Sequence, residues 1–415
     1  MSKVKLKDIA SIQAGPFGTQ LHKSEYVTDG ILMLNAKNIG HGVIITESVD
    51  YVPETVCERL PKYVLKEGDI LFGRAGSIEK HTYVNEEYAG CFQGTNCIRI
   101  RCHSKNIARY ISYYLCLKDV KKAIENNTGG SVLSYISTDL LKDITVEIPD
   151  EKDVELVSRL LSTIDRKIET NNKINDNLAK QLDVIYNYWF TQFEFPDDEG
   201  KPYNSNHGAM EFNNKLKKHI PSGWLVQSVA DNVLSTIIKP GVDKFVTKTY
   251  LPTSEVNGTN ISDGNEIDYE TRESRANMQP TINSVWFAKM KNSVKHLFLN
   301  KEMKPIIDRS ILSTGFCGLQ CTDVSLEYIS SFIASTYFET LKDTLAHGAT
   351  QEAVNNDDLN GISLVIPDNT TLSKYHETTK GIYSQISNNI LENRELAQLR
   401  DWLLPMLMNG QVTII

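Results

Sequence analysis

The chain has 415 residues, 40% of them hydrophobic and 23% charged, and a formal net charge of −8. That length suits two to four domains, and the composition excludes collagen-like, mucin-like and disordered sequence. The negative balance taken alone argues against nucleic acid as a partner, but residues 1–150 carry 18 basic and 18 acidic side chains and residues 151–200 carry 6 and 11, so the surplus is concentrated in one stretch.

The N-terminus, Met1 to Lys7, lacks the apolar core of a signal peptide. No stretch approaches the roughly 18 apolar residues of a membrane span. Seven cysteines without a CxxC pair fit reduced thiols in a cytoplasmic protein.

Residues 1–150 read as a first mixed α and β region. Val64 to Phe72 is a turn entering a strand, and Tyr83-Val84 and Cys97 to Ile100 are further strands. Asn106 to Leu117 places Ile107, Tyr110, Ile111, Tyr114 and Leu115 on one helical face. A last strand ends at Ile148, and Pro149 precedes a long helix.

That helix, within residues 151–193, places Leu161, Ile164, Ile168, Asn171, Asn175, Leu178, Leu182, Ile185 and Trp189 at alternating spacings of three and four. This is a heptad seam, and about 33 residues of it would reach about 50 Å. Residues 194–222, rich in Pro, Asp, Asn and Gly, read as a polar linker or extended arm. Residues 223–368 form a second mixed region. Residues 369–415 carry a second seam: Tyr375, Thr379, Ile382, Ile386, Asn389, Asn393, Leu396, Arg400, Leu403 and Leu407.

The halves repeat. Ile148-Pro149-Asp150 recurs 218 residues later as Ile366-Pro367-Asp368, and Tyr110-Ile111-Ser112 recurs at the same offset as Tyr328-Ile329-Ser330. Ile164, Asn171, Asn175 and Leu178 match Ile382, Asn389, Asn393 and Leu396. Around Phe72/Phe287 and His81/His296 the offset is 215, as small loop insertions produce. A polar seam residue costs stability but fixes register and partner, so the two helices are expected to pair with each other. An antiparallel pair sets Asn171 beside Asn393 and Asn175 beside Asn389; a parallel pair would also match amide with amide. The expected fold is α+β: two mixed domains separated by two long helices that pair as an antiparallel coiled coil, with a pseudo-twofold internal repeat.

Catalytic signatures are missing. The sequence has no Walker A loop, no GxGxxG after a strand, no HExxH, no GxSxG and no Asn- or Asp-Pro-Pro-aromatic run. Pro149-Asp150 with Asp165-Arg166-Lys167 imitates a nuclease metal site only loosely, because Asp165 has Tyr383 as its repeat partner. Cys317 and Cys321, or Cys97, Cys102 and His103, read as structural thiols rather than metal ligands.

Polar and basic loops remain. Gly73, Arg74 and Ser77, followed by Lys80, come straight after a strand. Backbone amides there can approach a phosphate, and an arginine can grip a guanine edge bidentately. Alone, such a loop is most often an ordinary hairpin turn. The matching stretch of the second half is basic, with Lys289, Lys291, Lys295, Lys301 and Lys304, and His296 within it. His22, Lys23, Asn35, Lys37 and Asn38 add donors in the first half. Gly130 and Ser131 match a loop holding Thr350 and Gln351, and a glutamine can read adenine. Basic loops at equivalent places in two copies point to a nucleic-acid face.

These residues bring a family into view. The chain resembles the DNA-specificity subunits of Type I restriction–modification enzymes through Gly15-Pro16-Phe17-Gly18 with Leu21-His22-Lys23-Ser24, Gly68-Asp69-Ile70-Leu71-Phe72, Ile164 to Asn172, and Tyr188-Trp189-Phe190 before Phe193-Glu194. It departs from the family's pattern where Lys289 to Ser293 replaces the Gly-Ser loop in the second half. The resemblance implies two target-recognition domains that each read half of a split site in double-stranded DNA, and two spacer helices that hold two methyltransferase subunits. It implies no cofactor in this chain, S-adenosylmethionine on the methyltransferase, and ATP and Mg on restriction/translocase subunits. The rival reading is a non-catalytic coiled-coil scaffold with two peptide- or protein-binding domains and no nucleic acid.

Overall fold

A computed structural model describes the chain except residues 1, 41, 47, 75–79, 127–134, 258–259, 262–263, 350 and 413–415. It comprises two compact units, Met1–Asp165 with Gln398–Ile415, and Arg166–Ala397.

In the first unit β1 (Ser2–Lys5), β2 (Ala10–Ala14), β3 (Ile31–Leu34), β4 (Asp50–Val52), β5 (Asp69–Gly73), β6 (His81–Tyr83), β7 (Phe92–Gln93), β8 (Cys97–Cys102) and β9 (Thr145–Ile148) build three sheets. Their orders are β2-β8-β5-β6, β4-β3-β7 and β1-β9. Only the β3–β7 pair is parallel among these described strands. Ile70, Phe72, Ile98 and Ile100 bury one face of the first sheet against Tyr110 and Ile111 of the Lys105–Tyr114 helix and its C-cap Leu115. Burying side chains of this size is worth about 1.5–3 kcal/mol each relative to leaving them exposed.

The Gly68-Asp69 pair at the head of β5 has a physical reason. Gly68 adopts φ 93°, a conformation that L side chains rarely take. The fully buried Asp69 carboxylate accepts from Arg101 Nε and Nη2 at 2.6 Å each and from Lys66 N at 2.8 Å. A buried charge needs such satisfaction.

The second unit repeats the plan. Ser235–Ile237, Phe316–Cys321, Ser284–Ala288 and His296–Leu299 form a four-stranded sheet in the same order as β2-β8-β5-β6. Lys248–Leu251 pairs in parallel with Ser310–Ser313 and antiparallel with Asn265–Ile267, as β3 does with β7 and β4. Leu225–Ser228 pairs with Ser363–Ile366, as β1 does with β9. Gly318 lies against the fully buried Trp286, where an added Cβ would stand 2.5 Å from the indole.

The repeat extends to single hydrogen bonds. Tyr110 Oη donates to the Glu147 carbonyl at 3.1 Å, and Tyr328 Oη donates to the Val365 carbonyl at 2.5 Å. Asp150 accepts from Asp153 N at 3.0 Å, and Asp368 accepts from Thr371 N at 2.9 Å. The repeated Ile-Pro-Asp is therefore strand end, breaker and helix N-cap.

The first long helix runs Glu151–Tyr186 and the second Asn369–Met408. They pair antiparallel, as expected. In the first unit Val154, Val157 and Leu161 share a core with Leu404, Leu407 and Met408. In the second unit Leu182 clusters with Tyr383 and Ile386.

Two features depart from the expectation. Residues 194–222, expected as a polar linker or extended arm, hold the antiparallel hairpin Met210–Asn213 with Lys218–Pro221, and Phe195 and Ile220 are buried in the second unit's core. The first long helix ends in a π-helical turn, Asn187–Thr191, that delivers Trp189 and Phe190 to the same core.

Candidate nucleic-acid interface

In the first domain five of the described candidates, His22, Lys23, Asn35, Lys37 and Arg74, line one cavity of about 670 Å³ together with Phe17 and Asp50 among others. The sequence separates them widely, and the fold brings them together. Gly15 extends β2 and docks on the β7–β8 turn, where an added Cβ would stand 2.0 Å from the Gly94 carbonyl oxygen. Gly15 N donates to the Cys97 carbonyl at 2.8 Å, and Arg74 N donates to the Asn96 carbonyl at 2.8 Å. The two loops are thereby fixed to one turn.

The polar groups around the cavity divide into tethered and available. Lys37 Nζ lies 3.0 Å from Asp50 Oδ2, to which Asn35 Nδ2 also donates at 2.8 Å. Asn38 is 1% exposed, and its Nδ2 donates to the Ile45 and Ser48 carbonyls at 2.8 and 2.9 Å. The expected donor Asn38 thus builds the loop from beneath. His22 N donates to Glu25 Oε2 at 2.9 Å; this bond first, and the Arg59 guanidinium after it, hold the Glu25 carboxyl below its usual range. Lys23 is exposed and has no ion-pair partner among the described residues. Arg74 lies over the Tyr135 ring at 4.7 Å, and its Nε is buried without a hydrogen-bond partner among the described residues. Gly73 is buried at the end of β5, and Lys80 is half-buried. Ser77, Gly130, Ser131 and Thr350 lie outside the described residues.

The second domain differs. Lys291 Nζ pairs with Glu352 at 2.7 Å, and Lys295 Nζ donates to the Thr253 carbonyl at 2.6 Å. His296 Nε2 lies 2.8 Å from Glu339 Oε1, so this candidate is held inside the domain. Lys342 is fully buried, with Nζ 2.7 Å from Glu339 Oε2 and 3.1 Å from the Ser293 carbonyl. Burial alone would raise the Glu339 pKa, but hydrogen bonds from His296 and Lys342 outweigh it and hold the carboxyl low. Nothing in the spacing of Lys342 marks it as buried. Lys289 is half-buried, and Lys301, Lys304 and Gln351 are exposed.

The seam asparagines meet as the antiparallel pairing requires. Asn171 Nδ2 donates to Asn393 Oδ1 at 2.9 Å and to Glu392 Oε2 at 2.7 Å. Asn389 Nδ2 donates to Asn175 Oδ1 at 2.8 Å, and Asn393 Nδ2 to Asn172 Oδ1 at 2.8 Å. Asp165, the weak nuclease candidate, accepts from Arg400 Nη1 at 2.9 Å and from Tyr113 Oη. Burial disfavours the charge of Arg400, yet Asp165 and Asp401 raise its pKa above the usual guanidinium value.

Among the described residues no group of three His, Cys, Asp or Glu side chains is placed to hold a metal ion. Burial pushes the Cys317 thiol up to about 12, which suits a core residue and not a ligand thiolate. No helix of the described residues is long and apolar enough to cross a membrane. The arrangement offers cationic, amide and aromatic groups on a rigid concave surface, a chemistry of binding to phosphates and base edges.

Residues 1–180 match a family described as the Type I restriction modification DNA specificity domain. The chain is similar to the Type I restriction enzyme MjaIX specificity subunit of Methanocaldococcus jannaschii, at 24% identity over 74% of this chain and 70% of the relative. It is also similar to the HindI specificity subunit of Haemophilus influenzae, at 19% identity over 85% and 88%. Among solved structures, the S subunit of a Type-I restriction-modification system from M. genitalium superposes with a TM-score of 0.52 and 13% identity over 98% of this chain and 95% of that one, a likeness of fold.

Proposed function

We propose that the chain, whose residues 1–180 match the Type I restriction modification DNA specificity domain and which is similar to Type I specificity subunits, reads a bipartite site in double-stranded DNA. Residues 1–150 and 223–368 act as two target-recognition domains, each contacting one half-site. The paired helices, within residues 151–193 and 369–415, form the spacer and hold two adenine-methyltransferase subunits. The chain itself does no chemistry. S-adenosylmethionine is bound by the methyltransferase subunits, and ATP and Mg by restriction subunits that join them, in the cytoplasm.

The observation that carries this reading is the repeat. One sheet order occurs twice, and the Tyr110 and Tyr328 bonds are its atomic copies. Two copies of one reading domain suit two half-sites, and two copies of one helix surface suit two partner subunits.

Native mass measurement of the complex purified from its host tests the assembly. One copy of this chain with two methyltransferase subunits is expected. A largest stable species of one to one contradicts the use of both helix copies.

A further inference from the structure

Phe17 is 60% exposed at the rim of the cationic cavity. An exposed phenylalanine is ordinary on a surface, but this one is held firmly. Pro16 precedes it, and Gly15 is packed against Gly94 with no room for a side chain. Gln20 N and Leu21 N donate to the Phe17 carbonyl at 2.8 and 3.2 Å, and Phe17 N donates to Gln20 Oε1 at 3.3 Å. Gln20 is anchored in turn, its Oε1 by Tyr63 Oη at 2.8 Å and its carbonyl by Arg59 Nη1 at 2.9 Å. The loop thus presents an apolar ring to solvent on a rigid mount, and Lys23 and Arg74 line the same cavity.

The second unit supplies an internal contrast. Its loop after Ser235–Ile237 occupies the place of the loop after β2, because the two strands are the equivalent edge strands of the two repeated sheets. There the aromatic, Phe245, is half-buried with its ring centroid 5.7 Å from that of Tyr269, and the exposed residue is Val246 at 87%. A rigidly exposed ring is therefore a property of the first domain.

We propose that Phe17 is an apolar wedge that enters the base stack of the half-site read by residues 1–150, with Lys23 gripping a flanking phosphate and Arg74 contacting the DNA beside it. This rests on the DNA-reading assignment above. Apolar side chains inserted between base steps unstack them and bend the duplex, and the cost falls to flanking charge–phosphate contacts to offset. The rigid mount matters because a mobile side chain would lose more freedom on insertion.

The test uses the full-length chain with whatever subunits co-purify from its host, and a duplex that this complex selects from a randomised pool. 2-Aminopurine, which brightens when unstacked, is placed at successive positions of both half-sites. A several-fold rise at one step of the first half-site is expected, absent in Phe17→Ala and retained in Phe17→Trp. Affinity of Phe17→Ala should fall by about 5- to 150-fold, the worth of one base–aromatic contact. The slope of affinity against salt should not change, since no charge is removed. Base flipping by a methyltransferase subunit would persist in Phe17→Ala and so is separated from the wedge. A wild-type complex that binds its duplex tightly while Phe17→Ala gives the same fluorescence profile overturns the wedge and leaves DNA reading intact. A wild-type complex that selects no duplex overturns both.

Discussion

Asn171 donates a hydrogen bond of 2.9 Å to Asn393, a residue 222 positions further along the chain. Both side chains are buried in the second unit, on helices that run in opposite directions. Removing Asn171 leaves the Asn393 Oδ1 without its donor, while Asn393 Nδ2 keeps its bond to Asn172. Asn171→Leu should therefore cost about 1–3 kcal/mol, the penalty of an unsatisfied buried polar group. Asn171→Leu with Asn393→Leu should recover part of that loss while relaxing register and partner choice. Denaturant melts of the two single variants and the double variant check this. Strictly additive losses would contradict a direct coupling.

Arg400 and Asp165 make the corresponding tie in the first unit, where Tyr113 completes the carboxylate. Fully buried ion pairs cost about 3–5 kcal/mol when one partner is removed. The Arg400 side chain retains 30% exposure, so Arg400→Met should cost about 1–3 kcal/mol, less than a fully buried pair would lose. Thermal melts that do not shift would show that the pair contributes nothing to stability.

Asp368 caps the second long helix by accepting from Thr370 N, Thr371 N and Trp224 Nε1. Burial alone would raise its pKa, but these bonds and one from Thr371 Oγ1 outweigh it and hold the carboxyl below the ordinary value of 3.8. A pKa lowered by folding means that the cap's contribution is complete above the ordinary value. It is lost as pH falls through the lower folded value. Asp368→Ala should cost about 1 kcal/mol at pH 7, and the difference from wild type should shrink below about pH 4 as both carboxyl forms protonate. A difference that stays constant to pH 2 would mean that the carboxylate charge is irrelevant to the cap.

Arg74 approaches the cavity from the end of β5, with its Nε unpartnered among the described residues. If it grips a guanine edge, Arg74→Ala should cost about 1–3 kcal/mol of binding and relax specificity at one base pair of one half-site. If it grips a phosphate, all sequences should weaken together and the salt slope should fall by about 1. Filter binding across a salt series distinguishes the two. Unchanged affinity would remove Arg74 from the interface.

Periodicity made the helix pair legible. The alternating three and four spacing survives in the structure, and the asparagine positions fix direction once amide must meet amide. Asp150 and Asp368 were readable as part of a repeat but not as caps until the bonds to Asp153 N and Thr371 N were located. The candidate cavity was half legible. His22, Lys23, Asn35, Lys37 and Arg74 do converge, but Asn38 turns inward to the Ile45 and Ser48 carbonyls. In the second half, the sequence does not show that Lys291 and Lys295 are engaged by Glu352 and the Thr253 carbonyl. Composition records charges, whereas tertiary contacts decide which of them remain available. The hairpin within residues 194–222 was missed for a related reason. A Pro- and Asn-rich stretch looks like a linker, yet Phe195 and Ile220 are buried in the core, and Tyr203, Met210 and Leu216 pack against it.

The most direct measurement is selection of bound duplexes from a fully randomised pool by the complex purified from its host. The selected sequences should show two specified half-sites separated by a gap of fixed length and no sequence preference. Replacing residues 1–150 with the corresponding domain of a relative should then change one half-site and leave the other intact. A single contiguous site, or a swap that alters both halves, would contradict reading by two separate domains.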